Sequence, residues 1–149
     1  MIRYADRLLE IAVMSLIHEG GCACASVRYR VTGQPAIAQA CHCSFCQRRS
    51  GSAFALLAAF KEDQVDLSGP PLTQYEHRSD ESGRWVRCHF CPVCGTTVLI
   101  TLERNPGVSV IPGGSFDDPG WCKPSRHIWT RSAHDWIVFP AGVELREKA

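Results

Sequence analysis

Nine cysteines constrain this 149-residue chain more than any other feature of its sequence. Seven of them fall into three tight groups, spaced Cys22-x-Cys24, Cys41-x-Cys43-x-x-Cys46 and Cys91-x-x-Cys94. An odd number of cysteines fits poorly with a complete set of disulfides, and clustered cysteines in a reducing compartment are more often metal ligands or catalytic groups. The spacing therefore predicts metal binding.

Cys91 and Cys94 belong to a Cys-Pro-x-Cys-Gly pattern typical of a zinc knuckle, whose tight turn directs both sulfurs to one point. A closed structural zinc site needs four ligands, so a second pair must come from elsewhere. Residues i and i+2 of an extended strand share a face, which lets Cys22 and Cys24 reach one metal. We predict that these four cysteines, the first cluster, join the first strand to a late hairpin. Spacing alone also allows Cys88 to join Cys91 and Cys94.

The second cluster consists of Cys41, Cys43 and Cys46. Three protein ligands with an open fourth position are the usual construction of a zinc site that carries out chemistry. Two alternatives stay open, namely a structural zinc completed by Cys88 or a histidine, and a metal-free redox cluster. Otherwise Cys88 and Cys122 are predicted to be ordinary semi-buried thiols.

Composition limits the classes of partner. Apolar residues make up 45% of the chain and charged residues 21%, as in an ordinary globular protein of one domain. The net charge is +1 without a run of Lys or Arg, so neither nucleic acid nor an anionic membrane is favoured as a partner. The N-terminal segment carries Asp6 and Glu10 and reads poorly as a signal peptide. We predict a cytoplasmic protein.

Alternating apolar residues predict a mainly β chain. Val27, Tyr29 and Val31 lie on one face of a strand that ends at a glycine turn. Residues 44–51 are predicted to form a short turn, residues 52–60 are ambiguous between strand and helix, and only residues 3–13 read as helical. Further strands are predicted over residues 36–43, 72–77, 83–90, 96–102, 107–114, 127–132 and 135–140.

Four segments occur together in an informative order: HEGGCACASVRYRVTG, CHCSFCQRRSGSAFA, ESGRWVRCHFCPVCGTTV and GGSFDDPG. In order and spacing they resemble the glutathione-dependent formaldehyde-activating enzyme family, which includes the centromere protein V domain. The resemblance covers about residues 18–140. It implies a β-tent fold of coiled antiparallel sheets around a structural zinc, with few or no helices apart from a possible N-terminal one.

The same resemblance implies an activity and a distribution of zinc. The family adds glutathione to formaldehyde, giving S-(hydroxymethyl)glutathione, and is grouped with carbon–sulfur lyases. The family's structural zinc corresponds to the first cluster, and a more weakly held second zinc corresponds to the second cluster. Zinc as cofactor and glutathione, or another small thiol, as co-substrate are the implied requirements.

The chemistry of thiols predicts what a metal at the second cluster would do. A free thiol has a pKa of about 8.5, whereas a metal-bound thiol is deprotonated. Three thiolate ligands weaken zinc as a Lewis acid, so activation and orientation of a thiol are favoured over carbonyl polarisation. Arg48 and Arg49 follow the cluster, and their guanidinium groups suit the carboxylates of glutathione. The alternative is that both belong to a solvated positive turn.

Several other residues carry weaker predictions. His42 lies between two ligands and should point away from them on a strand, so we predict a partly buried side chain, and the same for His89. His127 and Trp129 are predicted to line an apolar pocket wall. Ala25 stands where the family usually has glycine, which removes one close N–H···S approach without preventing zinc binding.

Two predictions concern organisation and an alternative function. Residues 1–13 precede a family-like start at Met14 and are predicted to be an extension or the product of an upstream start codon, with residues 14–149 forming a single zinc-binding domain. The alternative to an enzyme is a non-catalytic interaction module in which zinc makes both clusters structural. Such a module predicts no binding of small thiols, and nucleic-acid association is the least favoured class because charge speaks against it.

Overall fold

The structure, a computed structural model, describes residues 16–149 and is mainly β, as predicted. The described residues contain one α-helix, α1 (Ser44–Ser50), and four short 3-10 helices. The strands are β1 (Ile17–Gly21), β2 (Arg28–Thr32), β3 (Ile37–Cys41), β4 (Ala55–Lys61), β5 (Val65–Ser68), β6 (Thr73–Arg78), β7 (Trp85–Phe90), β8 (Thr97–Leu102), β9 (Val108–Pro112), β10 (Arg126–Ile128) and β11 (Glu144–Arg146).

Two predictions fall outside the described part of the chain. These are the helix over residues 3–13 and the extension over residues 1–13. Within residues 16–149, none of the helices has the length and apolar character needed to cross a membrane.

The strands form two sheets. The small sheet has the order β1-β2-β5 and is antiparallel, and the large sheet has the order β11-β10-β3-β4-β9-β8-β7-β6. Within the large sheet β10 runs parallel to both of its neighbours, β3 and β11, and the other pairs are antiparallel. The large sheet is thus mixed rather than purely antiparallel, and the β-tent name stays a prediction.

The main core lies between the two sheets. Val27, Tyr29 and Val31 of the small sheet are buried there on one face, as their alternation predicts. They join Phe60 and Ile111 of the large sheet in a single apolar cluster. The first cysteine cluster borders this core.

Strand β4 divides the molecule into two apolar sides. Ala58 and Phe60 face the core between the sheets, while Leu57 and Ala59 pack on the opposite side, together with Phe45 of α1. Because both faces of β4 are covered, its sequence is a continuous apolar run, and this is why residues 52–60 were ambiguous. The ambiguous segment is a strand.

Two local predictions were wrong. Residues 44–51 form helix α1 rather than a short turn, because Cys43 caps its N-terminus and Gly51, with φ of 63°, ends it through a bond to the Gln47 carbonyl. Residues 135–140 form no strand; Trp136 and Val138 are exposed, so their alternation has no sheet partner. A first strand was predicted at Cys22 and Cys24, but β1 ends at Gly21. Only the beginning of the predicted strand 127–132 belongs to β10, because Thr130–Ser132 form a 3-10 helix. Strands β5 and β11 were not predicted.

Candidate metal centres

The four sulfurs of the first cluster come together although their sequence pairs are far apart. All four lie within 4.8 Å of one another. Cys24 Sγ is 3.5 Å from Cys22 Sγ and 3.8 Å from Cys91 Sγ. Four ligands at the usual zinc–sulfur distance in tetrahedral geometry are separated by about 3.8 Å, so this donor set fits zinc.

The first pair of this cluster reaches its place by a different route from the one predicted. Cys22 and Cys24 lie in the turn between β1 and β2, not on an extended strand. The turn is closed by hydrogen bonds from the Ala25 N–H to the Cys22 carbonyl, at 2.9 Å, and from the Cys22 N–H to the Val27 carbonyl, at 3.0 Å. The second pair lies in the β7–β8 hairpin, as predicted.

Hydroxyl groups surround the first cluster and favour thiolates. The Ser26 hydroxyl lies 3.0 Å from Cys24 Sγ and 3.2 Å from Cys91 Sγ. The Thr96 hydroxyl, 3.2 Å from Cys94 Sγ, lowers the pKa of that thiol to about 5. Since zinc binds the thiolate form, these contacts suit the residues for a metal.

The second cluster lies at the junction of β3 and α1. Cys41 is the last residue of β3, Cys43 is the N-cap of α1, and Cys46 lies in its first turn. Their three sulfurs lie within 4.8 Å of one another. The cluster packs with Leu57, so it lies on the side of β4 opposite the main core and hence opposite the first cluster.

Cys43 is the thiol of this cluster that ionises most readily. Its sulfur accepts a hydrogen bond from the Cys46 backbone N–H at 3.3 Å. The contact with the Cys41 thiol lowers the pKa of Cys43, and the same contact raises the pKa of Cys41. A cation bound by the three sulfurs would favour ionisation of all three thiols.

No fourth ligand completes the second cluster within residues 16–149. No further histidine, cysteine or carboxylate there lies close to all three sulfurs, so completion by Cys88 or a histidine is not what the fold shows. Cys88 is buried on β7 with Ile100 and Val110. That position is on the side of the large sheet opposite Cys91, so the grouping of Cys88 with Cys91 and Cys94 was wrong.

Arg48 and Arg49 lie in the last turn of α1, where their charges also complement the helix C-terminus. Arg48 is exposed and Arg49 is half-buried. Burial raises the pKa of the Cys88 thiol, and the positive charge of Arg49 opposes that rise. The charge of Arg49 also acts on the Cys46 thiol, so of the two arginines it is the one with an electrostatic effect on the second cluster.

His42 is wholly buried rather than partly buried. Its Nε2 lies 2.9 Å from Nδ1 of His127, so His127 is a hydrogen-bond partner and not part of an apolar wall. His42 Nδ1 and His127 Nε2 have no hydrogen-bond partner among the described residues. A buried polar atom without a hydrogen-bond partner lowers the free energy of unfolding by about 1–3 kcal/mol. An apolar side chain would not carry that cost.

Two other predicted positions behave more simply. Trp129 packs against the second cluster in left-handed backbone with φ of 57°, and its place in a pocket wall stays a prediction. His89 is half-buried and bonds the Thr101 hydroxyl at 3.0 Å. The His42–His127 contact was missed because it depends on β10 lying beside β3, a long-range pairing for which the sequence carries no local signal.

Comparison with known families gives a match over most of the chain. The family model of the glutathione-dependent formaldehyde-activating enzyme matches residues 17–132. This chain belongs to that family. The matched segment contains both cysteine clusters and runs from the start of β1 to the segment that follows β10.

Two individual proteins extend the comparison. A Halomonas elongata protein, provisionally named as a glutathione-dependent formaldehyde-activating enzyme, is 27% identical over 138 residues, which cover 89% of this chain and 85% of that protein. A crystal structure of a Rhodobacter sphaeroides protein is similar with a TM-score of 0.52 and 24% identity, covering 66% of this chain and 87% of that one. The second likeness shows the fold alone.

Proposed function

We propose that this protein is a zinc-dependent, carbon–sulfur lyase-like enzyme that adds glutathione, or another small thiol, to formaldehyde. The first cluster would hold a structural zinc, and the second would hold the zinc that takes part in chemistry. Membership of the family supports glutathione-dependent formaldehyde activation in general. The separation of the clusters on two sides of β4 supports a division of roles.

The observation that carries the proposal is the incomplete ligand set of the second cluster. Three sulfurs converge there, and residues 16–149 supply no fourth ligand. A structural zinc site is normally closed by four protein ligands, whereas a site used in chemistry keeps one position for water or substrate. A zinc ion bound by Cys41, Cys43 and Cys46 would keep a thiol at that position deprotonated.

In the overall reaction the thiol S–H bond breaks and a C–S bond forms to the aldehyde carbon. The aldehyde oxygen takes up the proton and becomes the hydroxyl of S-(hydroxymethyl)glutathione. The residues of this chain bind and orient the reactants. Arg49, with Arg48 as a more exposed neighbour, would bind a glutathione carboxylate, and Trp129, which packs against the cluster, would form an apolar wall.

The decisive experiment counts zinc per chain in the wild type and in the Cys43→Ser variant, with and without glutathione. We expect two zinc ions in the wild type and one in the variant, with glutathione altering the retention of the weaker ion only. Cys122→Ser is the matched control, since Cys122 is buried in the main core away from the second cluster, and it should retain both ions.

One zinc per chain in both proteins, with no response to glutathione, would contradict the proposal. The second cluster would then consist of free thiols, and the non-catalytic interaction module would become the better account. Saturable binding of glutathione, measured by calorimetry, separates the two functions directly, because the module predicts none.

A further inference from the structure

His42 and His127 form a buried imidazole pair immediately behind the second cluster. His42 stands in the chain between Cys41 and Cys43, and its ring is enclosed by aromatic side chains. The centroids of Phe54 and Phe139 lie 5.2 Å and 5.5 Å from that of His42. His127, on β10, is the third neighbour of the ring and makes the 2.9 Å hydrogen bond.

The backbone of His42, like its ring, is held by hydrogen bonds. Its N–H donates to the Ile128 carbonyl at 3.0 Å. Its carbonyl accepts from the Gln47 side chain of α1 at 2.8 Å, and the same amide also donates to the Ser132 carbonyl at 2.9 Å. His42 therefore links three segments: the end of β3, helix α1 and the chain that follows β10.

These are the segments that carry or contact the second cluster. Cys41 ends β3, Cys46 lies on α1, and Ile128 packs against both. A hydrogen bond between rings resists rotation and sliding in a way that apolar contact does not, because its geometry is directional. Apolar packing alone does not explain two buried histidines at this place. Each ring has one nitrogen without a hydrogen-bond partner among the described residues, which makes the pair less favourable in a core than apolar side chains.

We infer that His42 and His127 are positioning residues, which hold the Cys41–Cys43 segment in the geometry needed for three sulfurs to close on one metal ion. The inference rests on the proposed metal site at the second cluster. Groups behind a ligand that fix its orientation commonly change metal affinity by 10- to 100-fold when they are removed.

Cobalt(II) is the probe, because its visible absorption reports the ligands and geometry of each site without any need for activity. The variants are His127→Asn and His127→Gln. The Asn side chain places its polar atoms near the position of the histidine Nδ1 and can keep the bond to His42. The longer Gln side chain places them nearer Nε2 and loses it. Both are polar, which makes them a matched pair.

We expect His127→Gln to bind cobalt at least tenfold more weakly at the second cluster, with an altered visible spectrum, while the first cluster keeps its affinity. His127→Asn should recover most of the affinity and the wild-type spectrum. His89→Gln is the control, since it changes a half-buried hydrogen-bonded histidine on β7 and should leave both sites unchanged.

Equal cobalt affinity and equal spectra in the wild type, His127→Asn and His127→Gln would overturn the inference and leave the pair a packing feature. Equal weakening in both His127 variants, or in His89→Gln, would overturn it as well, because the effect would then not follow the hydrogen bond. Uptake of a single cobalt ion by the wild type would overturn the proposed metal site and this inference together. Two ions in every variant, bound with the wild-type affinity and spectrum, would overturn the inference alone.

Discussion

Ala25 and Gly95 occupy equivalent places in the two turns of the first cluster. Each directly follows the second cysteine of its pair, and each has left-handed backbone, with φ of 62° and 75° respectively. Each N–H also donates to the carbonyl of the first cysteine of its pair, Cys22 or Cys91, at 2.9 Å. Both turns therefore need a positive φ at this position, which glycine adopts freely and which alanine adopts at a cost.

Replacing Ala25 by glycine should stabilise the protein. The glycine relieves the backbone strain but loses some of the gain to the greater freedom of the unfolded chain, so we expect about 0.5–1 kcal/mol more free energy of unfolding. Urea denaturation of the zinc-loaded protein measures it. Ala23→Gly is the control in the same turn; its φ is not positive, so it should be neutral or destabilising. A gain of the same size in both variants would show that strain at Ala25 is not the cause.

The two clusters should differ in what they contribute to stability. Cys91 is buried in the main core, and we expect Cys91→Ser to lose the structural ion and to lower Tm by roughly 10 °C. Cys43→Ser should lower Tm far less, because its cluster lies outside that core. Thermal denaturation together with zinc content tests this, and a larger loss for Cys43→Ser would reverse the assignment of roles.

Arg49 should matter more than Arg48 for glutathione. The charge of the half-buried Arg49 acts on Cys46 of the second cluster, whereas Arg48 is exposed and well solvated. We expect Arg49→Ala to weaken glutathione binding about tenfold and Arg48→Ala to weaken it only slightly, as measured by calorimetry. Arg104→Ala, an exposed arginine on the β8–β9 loop, is the control. Equal weakening of glutathione binding in all three variants would show that overall positive charge, and not a specific contact with Arg49, attracts glutathione.

Buried thiols should make the protein less stable in alkali. Burial raises the pKa of Cys88, against the opposing charge of Arg49, and burial raises that of Cys122. Above their ordinary pKa of about 8.5, these thiols lose protons in the unfolded chain but keep them in the fold. The unfolded state then binds fewer protons, so the free energy of unfolding falls with pH, by up to about 1.4 kcal/mol per pH unit for each thiol.

The double variant Cys88→Ala/Cys122→Ala isolates this effect. Its absolute stability falls because two buried sulfurs are lost, so the slope against pH is the quantity to compare. Denaturation at several pH values between about 8 and 10 gives the free energy of unfolding as a function of pH. We expect it to fall less steeply with pH in the double variant than in the wild type. An unchanged slope would assign the alkaline loss to other groups, such as Tyr29, whose pKa is raised by burial.

Local patterns predicted much of the fold. The alternation at Val27, Tyr29 and Val31 identified the buried face of β2, because a half-buried strand leaves a period of two in the sequence. The same reasoning failed for residues 135–140, where alternation occurs without a sheet partner. It also failed at α1, whose seven residues are too few for a helical period and are held by caps at Cys43 and Gly51.

The sequence by itself determined that seven cysteines fall into two pairs and a group of three, because ligands that share a turn or strand end must lie close in the chain. It determined the family for the same reason, since the paired spacings are specific in combination. Only the tertiary structure decided that the two clusters lie on opposite sides of β4, that Cys88 is separated from Cys91, and that His42 meets His127. Those relations depend on which strands become neighbours, and burial of apolar faces across the whole chain decides that, not any local pattern.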